Sequence, residues 1–238
     1  MKKAQICPNC NSENPFYVLI CTNCKAFLRS KIANIDLWDT LWKLLESPIK
    51  TAETIIHSEH KNFLSIILLL AGLKVGSSFL VISNALNLSD SEITNSFSFI
   101  MIYAAVFIIA LLAVSFIITK LNNLSGIKNR FKDNIALYTY AFLPIVLIMI
   151  FLTPVKLAIF GLYWYSFNPS PLLFKPMTTY IMLFIEGIFY LWSIVLFITS
   201  TYAQTKNIFY SILVGFGMSF ILLISIVFIS GHIYTVIS

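Results

Sequence analysis

Charge is what this chain has least of. Asp, Glu, Lys and Arg make up 11% of its 238 residues, against about 25% in an ordinary soluble domain. That shortage excludes a soluble globule and a disordered chain, because too few charges exist to cover a water-facing surface. Cysteine is absent beyond residue 24. There is no Gly-rich phosphate loop and no Ser/His/Asp constellation. The three histidines, His57, His60 and His232, do not form a metalloprotease pair joined by a glutamate. With no catalytic constellation, a non-enzymatic protein is expected. The opening MKKAQICPNC has no apolar core of a secretory signal, and no repeat of 20–50 residues is evident.

What is present is apolar. Hydrophobic types reach 58% and aromatics 15%, with 21 Phe. Crossing a bilayer takes about 20 mostly apolar residues. Such runs fall at about 62–83, 99–119, 135–155, 179–200 and 208–230. The expected fold is therefore an all-α polytopic membrane protein with five spans (61–238). A small polar module (1–30) and an amphipathic segment (31–60) precede them. The third span is the least regular, with Pro144, Pro154 and Lys156, then a second apolar piece from Leu157 to Phe167. Residues 154–167 either continue the span or lie in the interface. Gly161 and the run Tyr163-Trp164-Tyr165 favour the interface. Asn168 to Pro176 reads as a proline-stiffened loop.

The scarce positive charges are sorted. Residues 1–61 hold eight Lys/Arg, the loop after the second span holds four, and the fourth connection holds Lys206. The opposite side holds only Lys156 and Lys175, and the first loop carries Asp90 and Glu92 instead. The positive-inside rule then places the N-terminus in the cytoplasm and the C-terminus outside, as five spans require.

Cys7-Pro-Asn-Cys10 and Cys21-Thr-Asn-Cys24 form two C-x-x-C pairs ten residues apart. Two such turns close a tetrahedral four-thiolate site, which suits a structural zinc ion. The apolar run Phe16 to Ile20 is expected to be the strand that joins them. Two disulfides or free thiols are the alternative, and a reducing cytoplasm disfavours the disulfides. A thioredoxin-like redox pair would need a βαβ context that is missing. A module of about 30 residues has little core, so the metal would supply most of its stability. Such a ribbon suits a cytoplasmic protein partner. Its Lys2, Lys3, Lys25 and Arg29 make no dense basic stripe, so nucleic acid is a disfavoured partner.

Leu37, Trp38, Leu41, Trp42, Leu44 and Leu45 recur at helical spacing and predict a helix lying on the lipid bilayer, capped by Asn34 or Asp36. Ser47-Pro48 opens a second helix, with Ile49, Ala52, Ile55 and Ile56 on its buried side. Packing of both helices on the protein's own bundle fits the same pattern.

Lys74 and Glu186 are the two charges left inside the spans. Each costs about 2.5–3.5 kcal/mol at mid-bilayer on insertion scales. Their predicted depths differ by about 5 Å, so a salt bridge between the two helices is expected. Snorkelling of Lys74 and an ion relay are the competing readings. Gly72-x-x-x-Gly76 in the first span, and Ser211, Gly215 and Ser219 in the fifth, are small-residue faces. They serve either internal packing or a homo-oligomer.

These parts, in this order, resemble the Yip (Ypt-interacting protein) family in its prokaryotic form with an N-terminal zinc ribbon. LWKLLESPIKTAETII is similar to the family's entry helix. ALYTYAFLPIVLIMIF, with Pro144, is similar to its third span. LWSIVLFITSTYAQTKNIFYSIL is similar to its fourth span, inner turn and start of the fifth. The likeness covers about residues 37–230. It implies an integral protein of a prokaryotic cytoplasmic membrane whose biochemical role is unsettled; the ribbon and the interfacial helices are what point to a scaffold that recruits a partner or organises membrane. The acidic motif of eukaryotic members is not visible, so Rab GTPase binding is not implied. The alternative function is a small-solute or ion transporter using Lys74 and Glu186.

Overall fold

The structure is a computed structural model and describes residues 4–15, 18–28, 35–58, 60–86, 96–127 and 129–237, with side chains through 222 and at 224. Strands β1 (Ala4–Ile6) and β2 (Glu13–Pro15) pair antiparallel, with Ile6 opposite Glu13. A single bridge joins Ile20 to Phe27. Of the run expected as a strand at 16–20, the described residues 18–20 contribute that bridge alone. Each cysteine turn is closed by its own flanking pair, β1 with β2 and Ile20 with Phe27; residues 16 and 17 lie outside the described residues.

Helix α1 (Leu37–Glu46) starts where Asp36 accepts a bond from the Asp39 amide at 2.9 Å. Helix α2 (Pro48–His57) follows after Ser47, with Pro48 at its first turn. Both helices pack one face on the bundle, α1 through Leu44 with Leu37 and Leu41, but they differ on the other face. α2 turns Ala52, Ile55 and Ile56 into the bundle, whereas α1 leaves Trp38 75% and Trp42 64% exposed.

The body is built from α3 (Leu64–Ala85), α4 (Ser96–Leu124), α5 (Phe131–Ala141), α6 (Leu143–Leu147), α7 (Thr153–Phe160), α8 (Tyr163–Ser166), α9 (Pro171–Phe174), α10 (Pro176–Thr205) and α11 (Ile208–Ile237). Among the described residues, four stretches are long and apolar enough to cross a membrane: Leu64–Ala85, Phe97–Leu124, Leu143–Phe160 and Pro176–Thr205. At 1.5 Å per residue the 22 residues of α3 reach about 33 Å, close to the hydrocarbon thickness. Their outer faces carry bare Leu69, Ile109, Phe116, Phe184 and Leu191. So much exposed apolar surface is foreign to a water-soluble monomer and suited to lipid.

The third span departs from expectation. It begins at Leu143 rather than 135, because Pro144 has no N–H and its ring excludes the carbonyl of Tyr140. α5 is a separate short helix. The turn Ile148–Leu152 is π-helical, with the Thr153 amide bonded to the Ile148 carbonyl. This wider turn absorbs Pro154 without ending the helix. The chain breaks only at Gly161, whose φ of 61° suits glycine. Residues 153–160 therefore continue the span. Trp164 in α8 is buried, not spread in an interface. The proline segment also contains the turn α9, capped by Ser170.

The glycine faces are used within the chain. A Cβ on Gly76 would lie 2.6 Å from the Ile100 carbonyl of α4, and one on Gly215 would lie 2.4 Å from Ile198 Cγ1 of α10. Both sites let backbones approach closely inside the bundle.

Polar groups tie the helix ends together. Gln204 of α10 donates to Asn134 of α5 at 2.5 Å and accepts from Asn122 at 3.2 Å and Asn129 at 2.9 Å. Asn134 donates to Thr119 at 2.7 Å, and Tyr210 donates to Asn122 at 2.9 Å. α4, α5, α10 and α11 are thus joined where hydrophobic contacts alone would not fix their register. Close by, the buried Lys61 ammonium sits 3.2 Å from Asp133 and donates to the Ser58 carbonyl at 2.7 Å. It also reaches the carbonyls of Ile55 and Ile56, closing the end of α2. Burial pulls Lys61 down to about 8, against the pull of Asp133.

Candidate functional site

Two clusters carry chemistry. The first is the cysteine site. Both turns have one geometry. The Cys7 carbonyl accepts from the Asn11 amide at 2.9 Å, and the Cys21 carbonyl accepts from Lys25 at 3.0 Å. Asn11 and Lys25 are left-handed, with φ of 53° and 58°. Each turn thereby points two sulfurs to one side. The Cys7 and Cys24 sulfurs are 3.6 Å apart, as are those of Cys10 and Cys21. All four ligand atoms lie within 4.8 Å of one another.

A disulfide would bring two sulfurs to about 2.05 Å, and all four cysteines are free. Tetrahedral bonds of about 2.3 Å give sulfur spacings of about 3.8 Å. The cluster is therefore shaped to bind a metal ion.

Ser12 and Asn14 support it, and neither stood out in the sequence. The Ser12 hydroxyl lies 3.1 Å from Cys21 Sγ and 3.0 Å from Cys10 Sγ. Buried Asn14 donates to Cys21 Sγ at 3.3 Å, while its own oxygen accepts from the Thr22 amide at 2.8 Å. Ser12 holds Cys21 down to about 5, helped by the Cys24 and Asn23 amides and Asn14 against burial. Ser12 also lowers Cys10. Cys24 is pushed up to about 11: the Ala26 amide lowers it, but Cys10, burial, Cys7 and Cys21 raise it. Four crowded thiols cannot all ionise unless a cation sits among them. Among the described residues no histidine joins this cluster; the His232 side chain lies outside them.

The second cluster is within the bundle. Lys74 Nζ lies 2.6 Å from Glu186 Oε1, so α3 and α10 are joined as their depths suggested. A third member was missed. Lys156, assigned by hydropathy to an outer connection, is 1% exposed and its Nζ lies 2.5 Å from the same oxygen. The span predicted at 135–155 stops one residue short of Lys156, which leaves it in the following connection. The run Val155-Lys156-Leu157 inside an unbroken apolar stretch was the available signal. Lys156 also sits over the Trp164 ring, 4.3 Å from its centroid. Lys74 donates to Ser78 at 2.8 Å, and Tyr190 donates to the same Ser78 oxygen at 3.0 Å. A cavity of about 300 Å³ opens on Lys74, Lys156, Ser78, Tyr165, Glu186 and Tyr190.

No family model, no curated protein and no solved structure matches the chain. The fold and clusters themselves define the class: an all-α protein suited to a membrane, with a four-cysteine motif able to bind a metal ion.

Proposed function

We propose that this chain is a non-enzymatic, five-span membrane scaffold related to the Yip family. Its zinc ribbon lies in the cytoplasm and recruits a protein partner to the bilayer surface. The observation that carries the reading is the bare face of α1. Trp38, Trp42 and Leu45, at i, i+4 and i+7, are 75%, 64% and 53% exposed directly after the cysteine module. Such a face is built to enter the headgroup layer and would hold the ribbon against the membrane. The thiolate spacing supports zinc over larger or harder ions. The 30-residue α11 supplies the fifth span, and the charge bias supports a cytoplasmic ribbon. The Ser47-Pro48 entry and the break at Pro144 support the family resemblance.

The test has two arms. Trp38→Ser/Trp42→Ser should abolish the part of the tryptophan fluorescence that brominated lipids quench at the interface. Affinity capture from native membranes with the intact chain, and with Cys7→Ser/Cys21→Ser, should differ by the recruited protein. Identical captures would remove the recruitment reading.

A second reading, a small-solute or ion transporter, is supported by the cavity that reaches Lys74 and Glu186. Solute flux into liposomes holding the purified chain, lost in Glu186→Gln, would favour it over the scaffold.

A further inference from the structure

The buried charge cluster has one cation and several donors too many. Lys74 and Lys156 share a single oxygen of Glu186. Among the described residues no second carboxylate lines the cavity. An unmatched ammonium taken out of water is unfavourable unless an anion meets it.

The hydrogen-bond inventory leans the same way. Lys156 is 1% exposed, and beyond its 2.5 Å contact with Glu186 its ammonium meets no acceptor among the described residues. Ser78 already accepts from both Lys74 and Tyr190. Two lone pairs are thereby used, and its own hydrogen remains to be donated. What the pocket lacks is an acceptor-rich, negatively charged group. Its volume of about 300 Å³ is that of a small-ligand site.

The other end is apolar. A second cavity of about 280 Å³ shares Val75, Phe79 and Tyr190 with the first and is walled by Phe107, Ile145 and Phe197. A charged pocket beside a greasy one suits a ligand with both characters.

We propose that this paired cavity binds a single-chain anionic amphiphile. Its carboxylate or phosphate head is held by Lys156 and Ser78, and its chain passes Phe79 into the apolar cavity. The proposal does not depend on what the ribbon recruits.

Native mass spectrometry of the full chain released from maltoside micelles tests it, with dodecanoate, dodecyl phosphate, dodecanol and inorganic phosphate as probes. One dodecanoate or dodecyl phosphate per chain should bind at least tenfold more tightly than dodecanol or inorganic phosphate. Lys156→Gln leaves the neutral Lys74–Glu186 pair, so it should keep its melting temperature and lose at least tenfold in affinity. Ser78→Ala, which alters no charge, should lose several-fold. In Glu186→Gln, dodecanoate should restore melting temperature lost by the unliganded variant. Equal binding of dodecanol would overturn the anionic head, and equal binding of inorganic phosphate would overturn the chain. Unchanged affinity in both Lys156→Gln and Ser78→Ala would overturn the site.

Discussion

Glu186 holds two ammoniums on one oxygen, and that redundancy makes a quantitative prediction. At an effective dielectric of 20, contacts of 2.6 and 2.5 Å each represent about 6 kcal/mol of Coulomb attraction. The two ammoniums are then no more than about 5 Å apart, and their repulsion is about 3 kcal/mol. Removing one lysine therefore forfeits only about 3 kcal/mol of net attraction. It also releases a desolvation penalty of several kcal/mol for the buried ammonium. The two nearly cancel, so Lys74→Met and Lys156→Met should each change stability by less than about 1 kcal/mol. The double variant leaves Glu186 with neither partner and should lose about 3–5 kcal/mol. Glu186→Gln, which strands both lysines, should lose a similar amount. The assay is reversible unfolding of the purified protein in mixed micelles, followed by helical circular dichroism, for the wild type, both singles and the double. The result that refutes the reasoning is additivity. If the double costs only the sum of the singles, the three groups are not one electrostatic unit.

The cysteine site should hold one zinc ion per chain. A strong chelator should unfold residues 4–28, read by hydrogen exchange, and leave the helical signal of the spans intact; undiminished protection after metal removal would contradict this. Gly76→Ala forces a methyl to within 2.6 Å of the Ile100 carbonyl and should cost about 1–3 kcal/mol. Gly187→Ala, which meets nothing within 4 Å, should stay within about 0.5 kcal/mol in the same melt. Lys61, at about 8 in the fold against an ordinary 10.5, gives up its proton earlier when folded than when unfolded. Its contribution to stability should therefore rise between pH 8 and 10.5, by up to about 3 kcal/mol. The wild-type stability measured relative to Lys61→Met should rise over that window, and a constant difference would show that Lys61 is not perturbed.

The features visible in the sequence were those with a strong local signature. Ser47-Pro48 marked the start of α2 to the residue, and Asp36, one of two candidate caps, proved to be that of α1. The cysteine spacing predicted the four-sulfur cluster, since each C-x-x-C turn is a local structure. Lys74 and Glu186 stood out because each interrupts a long apolar run. Features set by distant partners did not show. The asparagines that hold Gln204 lie 70–82 residues from it and look like ordinary helix-end polar residues. Ser12 and Asn14 are unremarkable until the two knuckles meet. The effect of proline depends on its neighbours: the span predicted at 135–155 runs through Pro144, which ends a helix, and stops just past Pro154, where the π-helical turn carries the chain through and turns Lys156 inward.

These misses have a common cause. In lipid, apolar faces do not distinguish one helix partner from another, because the solvent is as apolar as the contact. Specificity must then come from close backbone approach and from polar groups that find each other. Gly76 against Ile100 and Gly215 against Ile198 supply the first. Glu186 supplies the second at one level of the bundle by joining α10 to α3 and α7. Gln204 supplies it at the other by joining α10 to α4 and α5. Both acceptors lie on α10, eighteen residues or about 27 Å apart along the helix axis. A single span thus carries the registration of the bundle at two depths. This predicts a division of roles. Glu186 is surrounded by a cavity and excess donors, whereas Gln204 spends both oxygen lone pairs and one amide hydrogen on neighbouring helices. A polar group engaged on all sides by the bundle's own side chains serves the fold. One placed beside open volume and unmatched charge is where a ligand changes the balance.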